Sequence, residues 1–189
     1  KEWIEEIAAD ALSVSEPGRT WRPLQDTADS SPFLYTAGGG WGGWRRGTDF
    51  YAEGTLIWLE ADVTIRSLTG GKKTLDDFCK RFHGAPSSPP MVRPYTFEDV
   101  VTTLNEVAPF DWRDFLQTRL NSTDVHAPLG GIERGGWKLT YQATPNDYLK
   151  DWESVRQATE LGYSIGLRLG SDARIGDVIE GSPAAKAGI

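Results

Sequence analysis

Apolar residues in this chain recur first with the period of a helix and later with that of a strand. Trp3, Ile4, Ile7, Ala8 and Ala11 share one helical face, and Pro17-Gly18 ends that run. The spacing predicts a long helix over residues 51–68, with Ile57, Ala61, Ile65 and Leu68 on one face and Thr69-Gly70-Gly71 as its stop. Leu56, Leu59 and Val63 make its other faces apolar too, which places it at the centre of the fold. Asp62 and Arg66, at i and i+4 on this helix, are spaced to pair as a structural contact. Thr74 with Asp77, and Thr96 with Asp99, each put a hydroxyl cap and an acid where free amides and the helix dipole favour both. Leu75, Phe78, Cys79 and Phe82 then form one stripe, and Phe97, Val100, Val101 and Leu104 another. Asp111 caps a further helix that turns Trp112, Phe115 and Leu116 inward, giving five helices in the first two thirds of the chain.

After Pro128-Leu129-Gly130-Gly131 the period changes. Trp137, Leu139 and Tyr141 alternate with Lys138 and Thr140 as in a half-exposed strand. Residues 148–159 read as a polar connector with helical character, and residues 163–169 and 174–179 as two more strands. Gly181-Ser182-Pro183 then sets a turn with a cap and a proline at the first helical position. Two segments read as loops. Residues 25–49 are rich in Gly, Ser, Asp and Trp around Gly38-Gly39-Gly40-Trp41-Gly42-Gly43, and residues 85–94 are rich in Pro and Ser.

Composition narrows the function classes. The 189 residues are 39% hydrophobic and include eight Trp, enough to bury a core. No stretch approaches the roughly 18 apolar residues of a membrane span, and the opening residues form an acidic amphipathic pattern instead of a signal peptide. A formal charge of -7 opposes the positive field that phosphate backbones require, which argues against a nucleic-acid partner. Cys79 is a single thiol, expected to be packed and inert in its apolar stripe. His83 and His126 lie far apart, without the i+4 partner of a helical metal motif, and are expected to be surface or loop residues.

Three stretches together resemble the glycyl aminopeptidase family of zinc peptidases. The first is Arg45-Arg46-Gly47-Thr48-Asp49-Phe50-Tyr51-Ala52-Glu53-Gly54 with the helix behind it, through Asp62 and Ile65-Arg66. The second is Gly71-Lys72-Lys73-Thr74-Leu75-Asp76-Asp77-Phe78, with the later Tyr95-Thr96-Phe97-Glu98-Asp99-Val100. The third is Tyr163-Ser164-Ile165-Gly166-Leu167 with Gly181-Ser182-Pro183-Ala184-Ala185-Lys186-Ala187-Gly188, which resembles the opening of a bacterial PDZ domain. The resemblance implies a mainly α fold: the helical C-terminal subdomain of a thermolysin-like peptidase over residues 1–128 and a strand and connector over 129–160. The N-terminal part of a truncated PDZ-like domain follows over 161–189. The family's zinc motif, His-Glu-x-x-His with a later glutamate, has no match here. The expectation is therefore a fragment without metal ligands, whose zinc-binding part lies upstream in the same protein.

Within that resemblance Tyr51 matches the tyrosine whose hydroxyl steadies the reacting carbonyl, and Gly54 leaves room for substrate or for the zinc helix. Trp44, Arg45 and Arg46 either line the substrate cleft, with Trp41 or Trp44 as an apolar wall and an arginine meeting a peptide carboxylate, or belong to a surface loop. The implied cofactor is zinc in the full-length enzyme, with none bound by this chain, and the implied partner is a peptide or protein substrate. Two other classes stay open: a non-catalytic module that binds peptides through the helical array and PDZ-like segment, and a structural helical domain.

Overall fold

The computed structural model describes residues 2–36, 41–84 and 91–189, and it is mainly helical with a small antiparallel sheet near the end of the chain. The chain opens with α1 (Glu2–Ser13), a 3-10 turn (Pro17–Thr20) and three short helices, α2 (Leu24–Asp29), α3 (Ser31–Leu34) and α4 (Gly42–Arg45). The long helix α5 (Phe50–Thr69) follows, then α6 (Leu75–His83), α7 (Phe97–Val107), α8 (Trp112–Leu120), α9 (Gly130–Arg134) and α10 (Asp147–Arg156). Strands β1 (Thr159–Leu161), β2 (Leu167–Leu169) and β3 (Ile175–Val178) pair antiparallel in that order, and α11 (Pro183–Lys186) closes the described fold. Among the described residues, no helix is long and apolar enough to cross a membrane.

Helix α5 is central because two apolar clusters meet on it. Ile57, Ala61 and Ile65 pack with Leu24, Phe78, Val101, Leu104, Trp112 and Phe115. Leu56, one residue from Ile57 and so about 100° round the helix, packs instead with Ala11, Val14, Ala127 and Ile132. Leu68 lies beyond the core and is half exposed, and in α1 Trp3 and Ile4 are exposed while Ala11 is buried.

Both Thr-x-x-Asp signals form reciprocal capping boxes. The Thr74 and Thr96 amides donate to Asp77 and Asp99 at 2.9 and 2.7 Å, and the threonine side chains accept in return. The Asp111 carboxylate accepts from the Asp114 amide at 3.0 Å and starts α8. Asp62 pairs with Arg66 at 2.7 Å and also accepts from the Leu75 amide, joining α5 to the first turn of α6.

Two buried carboxylates on α5 set the positions of its neighbours. Glu53, with no exposure, is bracketed by Arg19 of the 3-10 turn and Arg46 after α4. Glu60 accepts both Nε and Nη2 of Arg119 at 2.6 Å and also meets Arg134. Helix α9 lies close at this point, since a Cβ on Gly131 would come within 2.6 Å of the Glu60 amide nitrogen. The sheet is tied to the helical body through Arg168 of β2, which pairs with Glu16, Glu160 and Asp177, and through the Gly43 amide, which donates to Asp177 at 3.2 Å.

Several expectations need correction. Residues 137–141 form no strand, because alternation alone makes no ladder without an adjacent backbone; Trp137 and Tyr141 are exposed there, and Leu139 packs on the Leu56 cluster. Residues 163–169 are not one strand but a turn leading into β2, with β1 formed earlier from the end of the expected connector, which is otherwise helix α10. The supposed loop 25–49 contains α2, α3 and α4, so five helices is too few for the first two thirds. Gly43 lets α4 lie close to Glu16, since a Cβ there would come within 2.9 Å of the Glu16 carboxylate. Cys79 is exposed, not packed: Phe78, stacked between Trp58 and Phe82, fills the narrow buried stripe of α6. Of the expected loops, residues 37–40 and 85–90 lie outside the described residues.

Removing the Glu53 carboxylate while leaving two buried guanidiniums should be costly. Glu53→Ala is expected to lower the unfolding free energy by about 3–5 kcal/mol in urea denaturation, whereas removal of the α6 cap in Thr74→Ala should cost about 1 kcal/mol.

Candidate functional site

Tyr51 stands in the first turn of α5, and the approach to that turn is braced from inside. Arg46 is buried at 3% exposure and donates to Asp49 Oδ2 at 2.6 Å, to the Arg22 carbonyl at 2.6 Å and to Glu53. Asp49 in turn accepts at its carbonyl from the Glu53 amide at 2.9 Å, closing the first helical turn. The phenol projects the other way. Tyr51 is 64% exposed, its ring lies against Phe50 at 4.8 Å, and its hydroxyl shares a hydrogen bond with that of Tyr35. No described heavy atom lies within 4 Å of where a Cβ on Gly54 would sit, so the helix surface next to the tyrosine is open.

The other residues singled out in the sequence go to different places. Trp44 packs on Trp21 with ring centroids 5.2 Å apart, and its carbonyl accepts from the Trp21 indole at 2.9 Å. Trp41, Trp44 and Arg45 line a cavity of about 850 Å³ together with Ile175, Val178 and Ile189 from the C-terminal segment. Arg46 lines a separate cavity of about 430 Å³ with Asp10, Glu16, Asp49, Tyr148 and Tyr163. Tyr51 borders neither, so the structure does not gather Tyr51, Trp44 and Arg46 around one cleft. Arg46 has its guanidinium turned inward onto carboxylates, as the brace of the helix start.

Zinc chemistry finds no ligand set among these residues. His83 and His126 are both exposed, and no group of three or more His, Cys, Asp or Glu comes together among the described residues. The described side chains therefore do not fit a zinc ion.

Three carboxyls held above their usual range, Asp10, Glu16 and Asp49, line the 430 Å³ cavity. Burial pushes the Glu16 carboxyl up, against the opposing pull of Arg168, and burial also raises Asp49 despite Arg46. Asp10 is raised by burial and then by repulsion from Glu6. Burial, with the Glu160 charge, drives the Tyr163 phenol well above its ordinary range. One oxygen of Asp49, Oδ1, is buried without a hydrogen-bond partner. Sequence reading missed this cavity and missed Tyr35, because neither rests on a local signal: α1, α10 and β2 meet only in three dimensions, and Tyr35 stands in a segment that reads as loop.

The raised Glu16 value has a definite consequence for stability. The folded protein holds the Glu16 proton more tightly than the unfolded chain does, so this group's contribution is most favourable below the ordinary glutamate value of 4.5 and is lost as pH rises through the raised folded value. Glu16→Gln should flatten that part of the profile, so that urea midpoints measured across mildly acidic pH fall less steeply with rising pH than in the parent.

No protein-family model matches the chain, and no curated protein matches it.

Proposed function

We propose that this chain is part of a zinc-dependent aminopeptidase of the glycyl aminopeptidase type. In this reading it contributes an oxyanion-stabilising tyrosine and a cleft wall, is inactive alone, and depends on metal ligands carried outside the residues described. The observation that carries the reading is the placement of the Tyr51 phenol: exposed, on the first turn of a helix whose opposite side is locked by the buried Glu53 ion pairs. In amide hydrolysis, charge accumulates on the carbonyl oxygen as the tetrahedral intermediate forms. A donor already held in position there stabilises that charge without reorganising, and one such donor is typically worth about 3 kcal/mol. The open surface at Gly54 gives a peptide access to the same side of the helix. The antiparallel pair β2–β3 followed by the Ser182-capped α11 supports a PDZ-like reading of the last thirty or so residues, roughly a third of a usual domain.

A second reading, a peptide-binding module without catalysis, is favoured by a different observation. The cavity walled by Trp41 and Trp44 lies beside β3, the last strand in the sheet order, where an extended peptide can add its backbone hydrogen bonds.

The two readings separate on one substitution. In the complete enzyme, Tyr51→Phe should lower kcat on glycyl and alanyl anilides by about a hundredfold or more, with zinc content unchanged. Turnover equal to the parent removes the catalytic assignment.

A further inference from the structure

A phenol has one proton to donate and lone pairs to accept, so two phenols that share a hydrogen bond hold one proton between them and leave the other free. Among the described residues, the Tyr51 hydroxyl bonds to that of Tyr35 alone. Tyr35 follows the last turn of α3, where its amide donates to the Ser31 carbonyl at 3.2 Å. Its ring meets Phe50 edge-on, with centroids 6.3 Å apart and planes at 77°, and Phe50 is packed against the Ile57 side of the core. The Tyr35 ring is thus steadied by the residue that immediately precedes Tyr51.

We infer that Tyr35 is a positioning residue for Tyr51: the hydrogen bond between the two hydroxyls fixes the Tyr51 oxygen at the start of α5, and with Tyr35 as the donor the Tyr51 proton is free to point outward at a substrate oxygen. The inference rests on the reading of Tyr51 as an oxyanion donor. The hydrogen bond to Tyr51 is the main cause that holds the Tyr35 phenol above its ordinary value near 10. With Tyr51 as the donor instead, its proton would be spent on the Tyr35 oxygen. A hydroxyl that accepts a hydrogen bond also becomes a better donor, so the pair both aims the Tyr51 proton and strengthens it.

Titration of this chain carrying tyrosine labelled with carbon-13 at Cζ, followed by NMR, tests the hydrogen bond without reference to activity. In Tyr51→Phe the Tyr35 midpoint should fall toward the ordinary tyrosine value, and an unchanged midpoint overturns the inference. In the complete peptidase, Tyr35→Phe should lower kcat about tenfold with KM unchanged, as expected when a reacting group is aimed less well. Parental kcat in Tyr35→Phe, beside a hundredfold loss in Tyr51→Phe, overturns the positioning role while the peptidase reading stands. Parental kcat in Tyr51→Phe removes both.

Discussion

A carboxylate with no contact with solvent must be matched by cations, and Glu53 is such a group. Its two partners come from segments with little regular structure of their own, Arg19 from a single 3-10 turn and Arg46 from the link between α4 and α5. The ion pairs therefore do for these segments what a hydrophobic face does for a longer helix: they define where the chain runs. Glu60, seven residues on and on the same side of α5, repeats the arrangement with Arg119 and Arg134, and the Arg119 guanidinium also lies 3.6 Å from the centre of the Phe115 ring. Such clusters do not make a protein more stable than an apolar replacement would, but they make any one-sided loss severe, and so they fix geometry.

Local chemistry was legible wherever it was self-contained. Thr74 with Asp77, Thr96 with Asp99, and Asp111 each announce a helix start because the bonds they make lie within one turn. The apolar run of α5 announces a central helix for the same reason. Trp137, Leu139 and Tyr141 failed as a strand because pairing needs a neighbour that the pattern cannot supply, and Cys79 failed as a core residue because one position of rotation from Phe78 is enough to turn a side chain to water. Gly43 reads as freedom, yet in the fold it allows close approach to Glu16 while its amide donates to Asp177.

The candidate site was legible only in part. The Tyr-x-x-Gly start of α5 drew notice to a phenol that the fold leaves exposed, whereas Arg46, grouped with it as a cleft residue, faces the buried acid. A signal for that was present: Glu53 and Glu60 fall seven residues apart among the apolar positions of α5, and acids buried on such a helix require arginines from elsewhere. Tyr35 carried no comparable signal, since nothing in its local sequence says which residue sixteen positions on it will touch.

Gly131 gives this architecture a mechanical property. Helix α5 is a stiff rod, and α9 presses on it at Glu60, nine residues from Tyr51, which is about 13 Å along the axis. A bulkier side chain at position 131 that pivoted the rod by about 4° would swing its far tip, and with it Tyr51, by about 1 Å. The fulcrum of this lever is a residue with no side chain, about 13 Å along the axis from Tyr51, where a single methyl would act at a distance.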